Sequence, residues 1–224
     1  METRGNLSLR QVLQIQQHKQ LLLSDGEKAD QLPQQQSLTF DFNGYKTKLD
    51  RSFALENQKD ADARDNKIWS LGATWAVGPH SFTIAHQRST GDTGYLYGGY
   101  RNDGGIGDGG NTILLANSYW SDFNGKDERS WQAGYGIDFA TFGVPGLTYN
   151  VAYVRGDNIT TSTSTGGSER EIFNQLKYVV QSGPAKDLSL RARASWLRVS
   201  SNADKYNVGG NEIRLFADYP INVF

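Results

Sequence analysis

Arg191 and Arg193 stand two apart in the segment LSLRARASWLR, with Leu188, Leu190, Ala192, Ala194 and Trp196 in the alternate places. A period of two is that of a β-strand, whose successive side chains point to opposite faces. Both guanidinium groups therefore share a face with Ser189 and Ser195, about 6.6–7 Å apart along the strand. Lys177 shares the polar phase of the preceding strand with Gln175, and Arg214 holds that phase in the following one. Strands in sequence order lie side by side, so Lys177, Arg191, Arg193 and Arg214 form a basic column on one wall. Close positive charges attract carboxylates, and the planar guanidinium fork grips a carboxylate by two bonds. The plain alternative is a row of ordinary solvated charges.

Asp138, Glu212 and Asp218 fall on the same polar face. They can hold the amino end of a zwitterion or pair with the arginines, and pairing is the expectation. A long Gly-rich stretch, roughly 89–126, contains GDTGYLYGGYRNDGGIGDGG. It lacks the GK[ST] of a phosphate-binding loop, and its single GGIGDGG misses the spacing of a calcium-binding β-roll. Tyr95, Tyr97, Tyr100, Arg101 and Asp103 are the candidates at its tip, against plain surface exposure. His86 and Arg88 fall in the apolar phase near a strand end, where snorkelling to an interface accounts for them. No Ser/His/Asp set lies on adjacent positions of the polar face, so no enzyme is expected. The chain has no cysteine and three scattered histidines, His18, His80 and His86. No metal or cofactor site is expected.

Composition sets the solvent. Of 224 residues 37% are hydrophobic, against about 45–50% in a soluble domain. Yet aromatics reach 12% and glycines number 25, which argues against disorder. A wall that must be apolar only on its lipid side has this balance. The net charge of -1 carries no nucleic-acid footprint. No apolar run approaches the roughly 18 residues of a transmembrane helix, and the N-terminus shows no signal peptide.

The elements follow from the alternation. Residues 1–36 are Gln-rich, and the spacing of Val12, Ile15, Lys19 and Leu22 predicts a partial helix or disorder. From 37 to 224 about eight strands alternate: 37–46, 66–77, 81–88, 128–139, one from Leu147, one from Ile172, 188–197 and 211–223. Short Gly/Pro turns near 78, 145 and 183 alternate with polar loops at 47–65, 89–126, 156–168 and 200–209. Short turns on one rim and long loops on the other mark an all-β, antiparallel, up-and-down transmembrane barrel segment. A soluble ligand-binding barrel has the same period with its apolar face inward, and alternation alone leaves both open. The last segment, NEIRLFADYPINVF, ends on an aromatic, with Phe224 out of the apolar phase and Pro220 able to reset it.

From Ser37 to Phe224 the sequence resembles the C-terminal part of OprD-type substrate-specific outer-membrane porins. The likeness is carried by SLTFDFNGY, NKIWSLGATWAVGPHSFTIAHQRSTGDTGYLYGG, LLANSYWSDFNGKDERSWQAGYGIDF, GVPGLTYNVAYVRGDNI, EREIFNQLKYVVQSGPAKDLSLRARASWLR and NEIRLFADYPINVF. The resemblance implies a bacterial outer-membrane location and the last eight strands of a larger barrel, porins in general having about 16–18. It implies a passive channel for small carboxylate-bearing solutes, with the basic column as a ladder in the pore and the 89–126 segment as a loop that folds in to narrow it. The partners it implies are outer-membrane lipid, the solutes and the barrel-assembly machinery, with a homo-oligomer left open. A truncated, non-functional porin fragment is the alternative within the family.

Overall fold

The computed structural model describes residues 13–23, 36–48, 51, 55, 62, 64–95 and 114–221. The alternating segments become strands β1 (Leu13–Leu23), β2 (Gln36–Lys48), β3 (Asp65–Val77), β4 (His80–Gly91), β5 (Arg129–Asp138), β6 (Leu147–Ile159), β7 (Gly167–Val179), β8 (Ser189–Val199) and β9 (Gly210–Asp218). They form one nine-stranded sheet in sequence order, and every neighbouring pair is antiparallel. Among the described residues nothing pairs β1 with β9, so the sheet is open.

Three details differ from the alternation. Leu13–Leu23 is a strand, not a helix, and pairs along its whole length with β2. A weak 3.6-residue period in a Gln-rich stretch yields to eleven registered pairs with a neighbour whose edge is otherwise bare. The final strand ends at Asp218 rather than running to Val223, as Pro220 has no N–H to give a ladder. Phe224 lies outside the described residues. Between β5 and β6, Phe139–Phe142 forms a 3₁₀ turn that Asp138 caps, its carboxylate accepting from Ala140 N at 2.8 Å. The turn closes at Gly143, at φ 86°, and the connection ends at Gly146, whose φ of 86° suits glycine and where a side chain would strike the Val179 carbonyl.

Register sorts the two faces. One carries Phe40, Trp75, Phe82, Ile84, Trp131, Tyr153, Ile172, Leu190, Trp196 and Leu215, all exposed. Tyr135 and Tyr149 share this face through their pairing with Val151 and Leu176, whereas Phe139 belongs to the 3₁₀ turn. The other face carries Asn43, Ser70, Gln87, Ser130, Gln132, Glu169, Glu171 and Ser195, all buried. Burial is thus inverted: Trp131 is 58% exposed and Glu171 0%. In water such a sheet would expose apolar area at about 25 cal/mol per Å². In lipid the cost vanishes. A soluble barrel would bury the aromatics against one another, and here the covered face is the polar one.

Ile84, 64% exposed at mid-strand, tests this orientation. Ile84→Arg should lower the stability of the protein folded in phospholipid bilayers by about 2–4 kcal/mol, read from reversible denaturant unfolding. A neutral result would place Ile84 away from lipid.

Candidate functional site: the water-facing wall and its inserted segment

The strand register brings the four bases together. Lys177 lies opposite Arg191, and Arg193 opposite Arg214. Directly opposed like charges are unfavourable in a sheet, so their neighbours matter. Phe216, opposite Arg191, lies 4.4 Å from the Arg191 guanidinium carbon and 5.4 Å from that of Arg193, measured to the ring centre. Phe173 lies 5.8 Å from Arg193 on its other side. Cation–π contact holds these planar cations against the wall. Arg193 Nε also donates to Gln175 Oε1 at 2.7 Å. Glu212 pairs with Arg214 at 2.6 Å, and Asp218 lies 3.7 Å from Arg191. The expected pairing of acids with arginines therefore forms for Glu212 and Asp218. Asp138 instead caps the 3₁₀ turn at the short-turn rim. Tyr97, Arg101 and Asp103, with Tyr100, lie outside the described residues. Tyr95 is buried, edge-on to Tyr45 at 6.3 Å, in a small apolar cluster with Ile68 and Leu115. It belongs to the loop's foot rather than its tip.

Residues 114–125 cross the polar face and bond to it strand by strand. At β2 and β3, Leu114 N donates to Tyr45 Oη (2.8 Å) and Ala116 N to Ser70 Oγ (3.1 Å). At β4, Gln87 Nε2 donates to the carbonyls of Asp122 (2.7 Å) and Phe123 (2.9 Å). At β5, Asn117 Nδ2 donates to Ser130 Oγ at 2.8 Å. At β7, Glu171 accepts from Ser121 N at 2.9 Å and from Trp120 N at 3.1 Å. Glu169 accepts from Ser121 Oγ at 2.8 Å and from Asn207 Nδ2 at 2.7 Å. Asn124 N donates to Tyr206 Oη at 3.0 Å.

Glu128 completes the anchor, its Oε2 accepting from Gly125 N at 2.8 Å. It fits because Gly156 on β6 has no side chain, which would collide with Glu128 Oε1 and Phe123. Glu128 Oε1 is buried without a hydrogen-bond partner. Burial first, and the nearby Glu169 charge second, push the Glu128 carboxyl well above the usual carboxylate range. Burial likewise raises the Tyr206 phenol, with Glu128 and Glu169 adding to it.

Tyr119 divides the water-facing space. It stacks on Phe173 at 4.3 Å and accepts from Gln132 Nε2 at 2.8 Å. Burial pushes its phenol up to about 12, opposed by the Gln132 bond and reinforced by Glu171, so it stays neutral. On one side a cleft of about 420 Å³ is lined by Asn150, Gln175 and Arg193. On the other a cleft of about 480 Å³ is lined by Thr39, Asp41, Asn43 and Thr74. Sequence reasoning missed Tyr119, Phe173, Glu128, Glu169 and Glu171. The signal for the last two was present, as two acids in the water-facing phase of SEREIF. Their partners lie some fifty residues away, and no local pattern shows them.

An antiparallel meander, apolar outside, with a loop laid across a polar inner face, is the wall of an outer-membrane porin. The model for the OprD family of outer membrane porins matches residues 20–223, and the chain belongs to that family. It is 42% identical over 206 residues to Porin D of Pseudomonas aeruginosa, covering 86% of this chain and 44% of that protein. OccAB1 of Acinetobacter baumannii superposes with a TM-score of 0.77 at 36% identity, over 94% of this chain and 51% of OccAB1. OpdK of P. aeruginosa, solved with vanillate, superposes at 0.67 with 27% identity, over 93% and 49%. The chain thus spans about half the length of these relatives, which are channels rather than enzymes.

The protonated anchor gives a pH dependence of known sign. A carboxyl whose folded-state pKa lies above its unfolded value, about 4.3 for glutamate, adds stability that is whole below that value. The stability is lost as pH rises through the raised pKa. Backbone amides of residues 119–125 should therefore exchange more slowly at pH 5 than at pH 8, after correction for intrinsic rates. Glu128→Gln should flatten the difference. The same pH response in both proteins would remove the proton from the anchor.

Proposed function

We propose that this chain forms part of a passive channel for small carboxylate-bearing solutes, with Lys177, Arg191, Arg193 and Arg214 as successive weak sites on its wall. One observation carries the reading: four bases meet in two directly opposed pairs on the water-facing side, with two acids paired to them among the described residues. A sheet stabilised for its own sake would place opposite charges there. A column that must attract anions and release them places like charges side by side. The vanillate in OpdK is a carboxylate and agrees with this chemistry. Glu212, Asp218 and Asp138 temper the column rather than bind the solute. Insertion by the barrel-assembly machinery belongs to the same proposal.

The double substitution Arg191→Gln with Arg193→Gln should keep the fold, since neither side chain touches lipid. It should shift the reversal potential in planar bilayers away from anions and slow liposome swelling by a carboxylate solute relative to its uncharged analogue. High salt should shrink the wild-type effect, the Debye length falling to about 3 Å at 1 M. An unchanged reversal potential and an unchanged solute ratio would show that these arginines do not select.

A further inference from the structure

The outward face carries a second basic group, which the channel does not use. At the long-loop rim Arg155 lies opposite Arg170, and Arg170 opposite Arg198, across β6, β7 and β8. One register step further out, Arg88 lies opposite Arg129 across β4 and β5. All five are exposed, and all share the phase of the lipid-facing Trp131, Tyr153, Ile172 and Trp196. Arg129 is paired with Asp157 at 3.0 Å. The Arg198 guanidinium donates to Leu197 O, Gly210 O and Asn211 Oδ1. Among the described residues Arg88, Arg155 and Arg170 have no acidic partner.

Snorkelling brings such heads to water but does not explain their arrangement. The outward strand positions at the opposite rim hold Leu38, Val77, His80, Ile137, Tyr178 and Leu190 in these places, and neither Lys nor Arg. Interfacial snorkelling alone would serve both rims equally. Of the nearby acids, Asp157 faces outward and takes Arg129, whereas Glu128, Glu169 and Glu171 turn to the inner face and hold the inserted segment. Among the described residues Arg88, Arg155 and Arg170 have no acidic partner, so an anion from outside the chain would satisfy them. The long-loop rim of an outer-membrane barrel faces the external leaflet, whose glycolipid carries phosphates at headgroup depth. A planar guanidinium takes a phosphate by two parallel bonds, and surface charge near a bilayer adds to the attraction.

We infer that Arg88, Arg155 and Arg170, flanked by Trp131 and Trp196, bind the phosphates of the outer leaflet's phosphorylated glycolipid, lipopolysaccharide. The site is separate from the water-facing column and stands or falls without it. The test uses protein extracted from outer membranes in mild detergent and stripped of lipid, with binding of purified lipopolysaccharide measured by native mass spectrometry and by thermal shift. Wild-type protein should bind intact lipopolysaccharide at least about tenfold more tightly than the dephosphorylated form. The substitution Arg155→Gln with Arg170→Gln should abolish most of that difference and leave conductance and reversal potential unchanged. Arg155→Lys with Arg170→Lys should keep part of it, since charge survives without the fork. Equal binding of intact and dephosphorylated lipopolysaccharide by the wild type overturns the inference, whatever the variants do. So does equal binding of phosphatidylglycerol vesicles or of free inorganic phosphate, which would leave nothing particular to the glycolipid.

Discussion

The inner face depends on the buried carboxylate of Glu171. Its oxygens take the backbone amides of Trp120 and Ser121, and no other side chain of β7 reaches those two groups among the described residues. A buried amide without a partner costs about 1–3 kcal/mol, and a charged acceptor makes the bond stronger. Everything that shapes the water-facing space follows from that attachment. It fixes Trp120, which sets Tyr119 on Phe173, which sets the wall of both clefts. Glu169, Glu128 and Gln87 extend the attachment in either direction, so the inserted segment is hydrogen-bonded to five strands, β2, β3, β4, β5 and β7, and Leu115 adds apolar packing against Tyr45, Ile68 and Tyr95. Hydrogen bonding is the main device available to a wall most of whose exposed large apolar groups face the other way.

The same constraint explains why the two basic groups behave differently. On the inner face, bases are crowded but tempered: aromatic rings cover the guanidinium planes, and Glu212 and Asp218 stand beside them. Their charge stays accessible on the water-facing side, as the proposed channel requires. On the outer face the arginines at the long-loop rim sit beside tryptophans and lipid, where a bound anion need not leave. On the two proposals one residue type would serve transient and lasting contacts, according to which solvent the strand phase presents.

Much of the fold was legible because period two is a strong local signal. Strands β2 to β9, the alternation of short turns and long loops, and the face that Trp131 and Tyr153 share all came from residue spacing. So did the column, since Arg191 and Arg193 share a phase and the neighbouring strands follow in order. β1 was not legible: LQIQQHKQLLL loses its alternation at Gln17 and Lys19, and its pairing with β2 decides its structure. The inner anchor was not legible either. Glu171 and Ser121 meet across a separation of 50 residues, and a loop rich in glycine says nothing of where it is pinned. Phe216 stands in the polar phase of its strand, and contact with Arg191 and Arg193 accounts for it.

The most direct test of this account is the single-channel conductance of Glu171→Ala in a planar bilayer, compared with wild type and paired with limited proteolysis of residues 114–125. The anchor account predicts a larger, noisier conductance, new cleavage within that segment and an unaltered β-sheet signal in circular dichroism. Wild-type conductance with a segment still protected from protease would contradict it, and would mean that the inserted segment holds its place without Glu171.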